Sequence, residues 1–242
     1  IRILRHILGA RRVRVAIEDN KPEAIRAMEK ALAAADGDVE IIALATAYPM
    51  GAEKQLIYSI TGREIPSGGL PADVGALVEN VATAAAAYEA VVLGRPLVQR
   101  VVTVTGALIK RPANLLARIG TRLADLIAFC GGFTGDSGKL ICGGPMMGVA
   151  QVGTDAPMGK TTSGILALPR KEVALYESAP CIGCNRCVRA CPMALLPCTI
   201  TMSVEADQIE MAERLNVLDC IECGCCSYVC PARRPMVQLM RQ

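Results

Sequence analysis

The chain opens with Ile3, Leu4, Ile7 and Leu8 at helical spacing before Gly9, the pattern of a helix that closes on a glycine. Arg12 to Ile17 then alternates and is rich in β-branched residues, which predicts a strand. Asp19-Asn20-Lys21-Pro22 turns that strand into a helix with Pro22 near the first helical position. Ile25, Met28 and Leu32 give the helix an apolar stripe, Gly37 is expected to end it, and Val39 to Leu44 supplies a second strand. Residues 12–45 therefore predict a βαβ unit with a parallel strand pair. A short helix over Ala52 to Ile60, stopped by Gly62, is followed by the loop Pro66-Ser67-Gly68-Gly69-Leu70-Pro71. An Ala-rich helix capped by Asn80 and running to Gly94 completes an α/β layer domain.

From Arg100 the texture changes to short elements: strands over Arg100 to Thr105 and Leu115 to Ile119, a helix over Thr121 to Cys130, and a strand over Lys139 to Cys142. Two strands, a helix and another strand in so short a stretch predict a small β-grasp-like module. Val152 to Leu168 reads as a hairpin or crossing strands, and Pro169 to Pro180 as a polar linker. Beyond it, Ile200, Val204, Ile209, Met211 and Leu215 fall at near-helical spacing between Leu195 and Leu218, and Met236, Leu239 and Met240 begin a closing helix. The expected fold class is thus α+β and multidomain. The expected divisions are 1–96, 97–150, a hairpin and linker over 151–175, and a helical domain over 176–242.

Composition removes several function classes. Aromatic residues make up only 3% of the chain, Trp is absent and the net charge is +3, so stacking on nucleic acid and a broad phosphate-binding surface are both excluded. The closest approach to a membrane span, Val74 to Leu93, is interrupted by Glu79, Asn80 and Glu89. The chain begins at Ile1, inside the helical pattern, and is expected to be a fragment. No P-loop or G-x-G-x-x-G is present in the first domain, and His6, the lone histidine, lies on a helix tail and is assigned no chemistry.

Cysteine changes the picture most. Cys181-x2-Cys184-x2-Cys187-x3-Cys191-Pro192 recurs as Cys220-x2-Cys223-x2-Cys226-x3-Cys230-Pro231, and eight of the twelve cysteines fall in these two runs. Three thiolates two residues apart wrap a tight turn around one corner of an iron–sulfur cube, and the fourth comes from elsewhere. In two-cluster proteins the Cys-Pro cysteine of each run ligates the other run's cluster. The expected sets are Cys181, Cys184, Cys187 and Cys230 for the first 4Fe–4S cluster, and Cys220, Cys223, Cys226 and Cys191 for the second. Zinc ribbons use two cysteines per knuckle and do not explain a third or the Cys-Pro. A disulfide framework suits short chains with little core, and labile clusters with many free thiols point to a reducing compartment. Cys130, Cys142, Cys198 and Cys225 stand outside the ligand register and are expected to pack.

With those residues identified, the chain resembles the C subunit of the Rnf ion-translocating electron transport complex. The likeness rests on Ile17-Glu18-Asp19-Asn20-Lys21-Pro22-Glu23-Ala24, Tyr48-Pro49-Met50-Gly51-Ala52-Glu53-Lys54-Gln55-Leu56, Pro66-Ser67-Gly68-Gly69-Leu70-Pro71-Ala72-Asp73, Gly143-Gly144-Pro145-Met146-Met147-Gly148 and both cysteine runs. The resemblance implies an α/β flavoprotein-like domain, a soluble-ligand-binding β-grasp module and an α-helical two-cluster ferredoxin domain. It also implies electron transfer between NADH and ferredoxin coupled to ion movement, with other Rnf subunits as partners and a peripheral place on the cytoplasmic side of the inner membrane. The first domain is more distantly similar to the NADH-binding flavoprotein subunit of respiratory complex I. That likeness implies FMN and NADH contacts from Tyr48, Gly51 and Glu53 and from Asn80, Val81 and Thr83, while Ala52, Glu79 and Ala82 depart from the pattern. The glycine-rich flavin loop would lie upstream of Ile1, so the stretch alone is expected not to oxidise NADH. Two other readings stay open. One is a soluble flavin and iron–sulfur NADH dehydrogenase or hydrogenase subunit; the other is a docking and electron-transfer subunit with a vestigial nucleotide site.

Overall fold

The computed structural model describes residues 1–33, 39–173 and 177–242, which form two compact units, Ile1–Pro96 and Leu97–Gln242. In the first unit, helix α1 (Arg2–Leu8) ends at Gly9, whose left-handed backbone lets its N–H reach the carbonyls of Arg5 and His6. Strands β1 (Val13–Glu18) and β2 (Val39–Leu44) pair in parallel from Val13 opposite Val39 to Glu18 opposite Leu44, with α2 (Pro22–Ala33) between them in the chain. The expected βαβ unit is present; its Gly37 terminator lies outside the described residues.

Side chains fasten the ends of this pair. Asp19, just after β1, accepts hydrogen bonds from the N–H (3.0 Å) and the hydroxyl (2.6 Å) of Thr46, just after β2. Those bonds hold its carboxyl below the ordinary value. Arg14 donates to Glu40 on the neighbouring strand (2.9 Å) and to the carbonyl of Ile60 (3.2 Å), which draws in the end of α3 (Glu53–Thr61). Helix α4 (Val81–Leu93) starts where Asn80 Oδ1 accepts the N–H of Ala82 at 2.9 Å, and ends at Gly94.

The second unit begins with β3 (Gln99–Thr105), β4 (Ala113–Arg118), α5 (Leu123–Phe129), β5 (Ser137–Cys142), β6 (Val149–Gln151) and β7 (Gly164–Pro169). They form one five-stranded mixed sheet in the order β4-β3-β7-β5-β6. β7 is parallel to β3 and antiparallel to β5. Here the structure departs from the hairpin or crossing strands expected over Val152 to Leu168. That stretch contributes a single strand to the middle of the sheet, because Ile165 and Ala167 alternate inward and both are fully buried with Val102, Val104 and Leu123. Gly106 makes the close approach possible: its φ is +117°, and a Cβ there would stand 2.1 Å from the Ala167 carbonyl oxygen.

The cysteine region is helical throughout: α6 (Arg186–Arg189), α7 (Pro197–Glu205), α8 (Ile209–Arg214), α9 (Cys225–Tyr228) and α10 (Met236–Met240). The helical pattern expected between Leu195 and Leu218 is divided, since Asp207 takes a left-handed φ of 56° and lets α8 fold back on α7 around Leu195, Ile200 and Ala212. An offset of 39 residues relates the two cysteine runs and extends past them. Left-handed residues recur at Gly183 and Glu222, at Asn185 and Gly224, and at Ala194 and Arg233. Each run is followed by a helix starting at the equivalent position, α7 at Pro197 and α10 at Met236.

Candidate iron–sulfur centres

Each C-x2-C turn is stabilised in the same way. Two left-handed residues point the chain around the thiols, and the amide two residues after the first cysteine faces its sulfur. Gly183 N–H donates to Cys181 Sγ at 3.5 Å, and Glu222 N–H donates to Cys220 Sγ at 3.4 Å. The short helices α6 and α9 then carry the third cysteines, Cys187 and Cys226, inward, and both are buried. Arg241 clamps the second turn from α10 by donating to Glu222.

These turns ring two recesses. The first, about 290 Å³ counting the space at its mouth, is lined by Cys181, Cys184, Cys187 and Cys230. The second, about 320 Å³, is lined by Cys220, Cys223, Cys226 and Cys191. The structure thus gathers the expected quartets, each with its fourth thiol from the other run. No three His, Cys, Asp or Glu side chains among the described residues make a ready single-ion site. The thiols border a space, and four of them around a space are the donor set of an iron–sulfide cube rather than of a lone zinc ion.

Burial pushes the Cys226 thiol up to about 12, and burial with Cys198 beside it pushes Cys187 up to about 11. Cys220 is also raised, chiefly by burial. Such thiols are protonated at neutral pH until a metal displaces the proton, so loading these sites releases protons.

Of the cysteines expected to pack, Cys130 is buried in the sheet core. Cys198 packs too, against the buried cluster of Cys187, Cys226 and Met236, and it also lines the first recess with the four ligand candidates. Sequence spacing missed its place in the recess because position 198 belongs to a helix, not to either cysteine turn, and its counterpart 39 residues on is Val237, which shares no residue type with it. Met146 lies in the stretch between β5 and β6. It reaches the second cysteine turn, where a Cβ on Gly224 would stand 3.3 Å from its carbonyl oxygen.

The nucleotide candidates lie elsewhere. Tyr48 and Gly51 sit on the turn into α3, Glu53 is its first residue, Asn80 caps α4 and Thr83 lies in its first turn; all five are exposed. The two helix N-termini offer backbone N–H donors of the kind that meet phosphate. Asn80 Oδ1 is already committed to Ala82, which leaves its amide nitrogen for any ligand.

Comparison with known families supports each region in turn. Residues 1–89 match the Nuo51 FMN-binding domain, 101–150 the SLBB domain and 174–231 the 4Fe-4S dicluster domain. Together with the paired four-thiol recesses, these matches place the chain in the class of proteins that carry a 4Fe-4S dicluster domain. Across 242 residues the chain is 50% identical to the C subunit of the proton-translocating ferredoxin:NAD(+) oxidoreductase complex of Clostridium ljungdahlii, covering 100% of this chain and 52% of that one. It is 47% identical over 238 residues to the C subunit of the ion-translocating oxidoreductase complex of Rhodobacter capsulatus, covering 98% and 46%. With the C subunit of the Na(+)-translocating ferredoxin:NAD(+) oxidoreductase complex of Acetobacterium woodii, identity is 45% over 234 residues, covering 97% and 53%. Over its whole length the chain is thus similar to C subunits of ion-translocating oxidoreductase complexes. It spans about half the length of these curated relatives. Among the described residues no helix is long and apolar enough to cross a membrane.

Proposed function

We propose that this chain is the electron-transfer portion of a subunit that works between NADH and ferredoxin in an ion-translocating membrane complex. The observation that carries the proposal is the pair of recesses, each ringed by four thiols from both cysteine runs. Cys181, Cys184, Cys187 and Cys230 would hold one 4Fe–4S cluster, and Cys220, Cys223, Cys226 and Cys191 the other. When bound, such clusters accept and release single electrons. The protein's part is to hold the thiols at fixed separation, exclude water with Met236, Met193 and Leu195, and set the charge around each sulfur.

On this reading residues 1–96 are the partial flavoprotein-like domain, 97–150 the soluble-ligand-binding β-grasp module with its closing strand β7 drawn from 151–175, and 176–242 the helical ferredoxin domain. Tyr48, Gly51, Glu53, Asn80 and Thr83 would orient FMN or NADH in the longer protein. The partners would be the other subunits of the complex at the cytoplasmic face of the inner membrane, with NADH and ferredoxin as redox partners. A second reading, in which the nucleotide site is vestigial and the chain only docks and relays electrons, is favoured by the capping role that occupies Asn80 Oδ1.

Anaerobic reconstitution tests the clusters: about eight iron and eight sulfide per chain are expected for two 4Fe–4S centres. Four irons, or zinc retained in place of iron, would defeat the assignment. NADH oxidation and flavin content of the longer protein separate the two readings, and a protein that holds clusters but neither binds FMN nor oxidises NADH would favour the vestigial site.

A further inference from the structure

The 39-residue offset maps one recess onto the other almost wall for wall. Ile182 of the first recess corresponds to Ile221 of the second, Pro231 to Pro192, Ala232 to Met193 and Met236 to Pro197. Each recess also takes one residue from the second position of a symmetry-related helix. In the first recess it is Cys198, at the start of α7; in the second it is Val237, at the start of α10. The two sites therefore present the same thiol quartet and differ at this position by a sulfhydryl against an isopropyl group.

The remaining differences run the same way. Asn185 and Arg186 line the first recess; Gly224 stands where Asn185 would map, and Cys225, the counterpart of Arg186, does not line the second. Cys198 packs against the buried cluster of Cys187, Cys226 and Met236, and stands beside Cys187. Its S–H is a weak donor, and the sulfur it faces is a ligand candidate. Adding an electron to a cluster makes the whole thiolate unit more negative. A donor or a cation beside its sulfurs stabilises the reduced form and raises the reduction potential, whereas an isopropyl group offers no such stabilisation.

We propose that Cys198 and its counterpart Val237 set the two centres apart in potential, with the site of Cys181, Cys184, Cys187 and Cys230 the higher, so that the first electron entering the pair rests there. Cys198 is a tuning residue and not a ligand. The inference rests on the two-cluster reading. It gives the relay a fixed downhill step from the second recess to the first without any change in ligand type.

The test is a stepwise anaerobic dithionite titration of the reconstituted chain, followed by electron paramagnetic resonance, with each cluster taking up one electron donated by dithionite. The wild type should show two resolved one-electron reductions. Cys198→Val, which makes the first wall like the second, should move the upper midpoint to more negative potential and leave the lower one in place. Val237→Cys should move the lower midpoint up and leave the upper one in place. Both variants should retain about eight irons. Unmoved midpoints in both variants, or a Cys198→Val protein whose lower midpoint moves instead, would overturn the inference. So would loss of four irons in Cys198→Val, which would make Cys198 a ligand. A wild-type protein holding only four irons would instead overturn the two-cluster reading, and the inference with it.

Discussion

The buried cation of the helical region offers a quantitative test of what holds it together. Arg234 is only 7% exposed and is paired with Glu205 at the end of α7, which is 41% exposed. Its Nε has no hydrogen-bond partner. By the 39-residue offset Arg234 corresponds to Leu195, which is equally buried in the apolar cluster with Ile200 and Ala212. Breaking a buried pair from the anion's side leaves an uncompensated charge, which costs about 3–5 kcal/mol when both groups are enclosed. Glu205 is partly hydrated here, so Glu205→Ala is expected to cost about 2–3 kcal/mol, below that range. Arg234→Leu removes the cation and its unpaired Nε together and recreates the environment of Leu195. It should cost less than about 1 kcal/mol, or stabilise, because an apolar side chain of similar reach replaces a poorly satisfied ion. The assay is guanidinium denaturation of the cluster-loaded chain, followed by loss of the iron–sulfur absorbance. Equal destabilisation by the two variants would refute the reasoning, since it would mean that the contacts of Arg234, not its charge, support the region.

Further outcomes follow from other parts of the structure. Cys191→Ser should damage the centre built on Cys220, Cys223 and Cys226 and spare the one on its own run; loss of only the centre on Cys181, Cys184 and Cys187 in resonance spectra would contradict the exchange of ligands. Gly106→Ala should destabilise the sheet by at least about 1–3 kcal/mol from the backbone alone, with the clash against Ala167 in addition, and a melting temperature equal to wild type would count against the packing described. Thr46→Val should raise the Asp19 carboxyl toward its ordinary value, as read by an NMR pH titration. In the wild type the folded value lies below the unfolded one, so this tether contributes at neutral pH and is lost as pH falls through the folded value. An unshifted Asp19 in the variant would show that Thr46 is not the cause. Cys130→Ala and Cys225→Ala should leave iron content unchanged, and a drop in iron would make either residue a ligand.

The parts of the fold visible in the sequence were those governed by local rules. The βαβ unit announced itself through alternation and the Asp19 to Pro22 turn, and the three closely spaced thiols of each cysteine turn through their spacing, because each depends on neighbours a few residues away. What escaped depended on distant partners. β7 carries the same short apolar alternation as one arm of a hairpin, and only pairing with β3, some sixty residues earlier, makes it a central strand. The break at Asp207 was hidden because apolar spacing continues in phase on both sides of it, and a single left-handed residue carries little signal without the fold. The role of Cys198 was invisible for a related reason. Pro197-Cys198 and Met236-Val237 share no residue, so the second half of the repeat is legible in backbone geometry and not in letters.

The proposed exchange of the fourth thiol would also set a timetable for biosynthesis. The first recess cannot be completed until Cys230 is made, some forty residues after Cys187. At typical rates of about 5–20 residues per second, the ribosome leaves three neighbouring thiols waiting for about 2–8 s before their fourth partner exists. Neither quartet is complete until Cys226 is made, and a chain cut short anywhere before Cys230 lacks the first one altogether. On the proposed ligand sets both cubes would be installed late, on a nearly finished chain whose thiols must stay reduced until Cys230 is made.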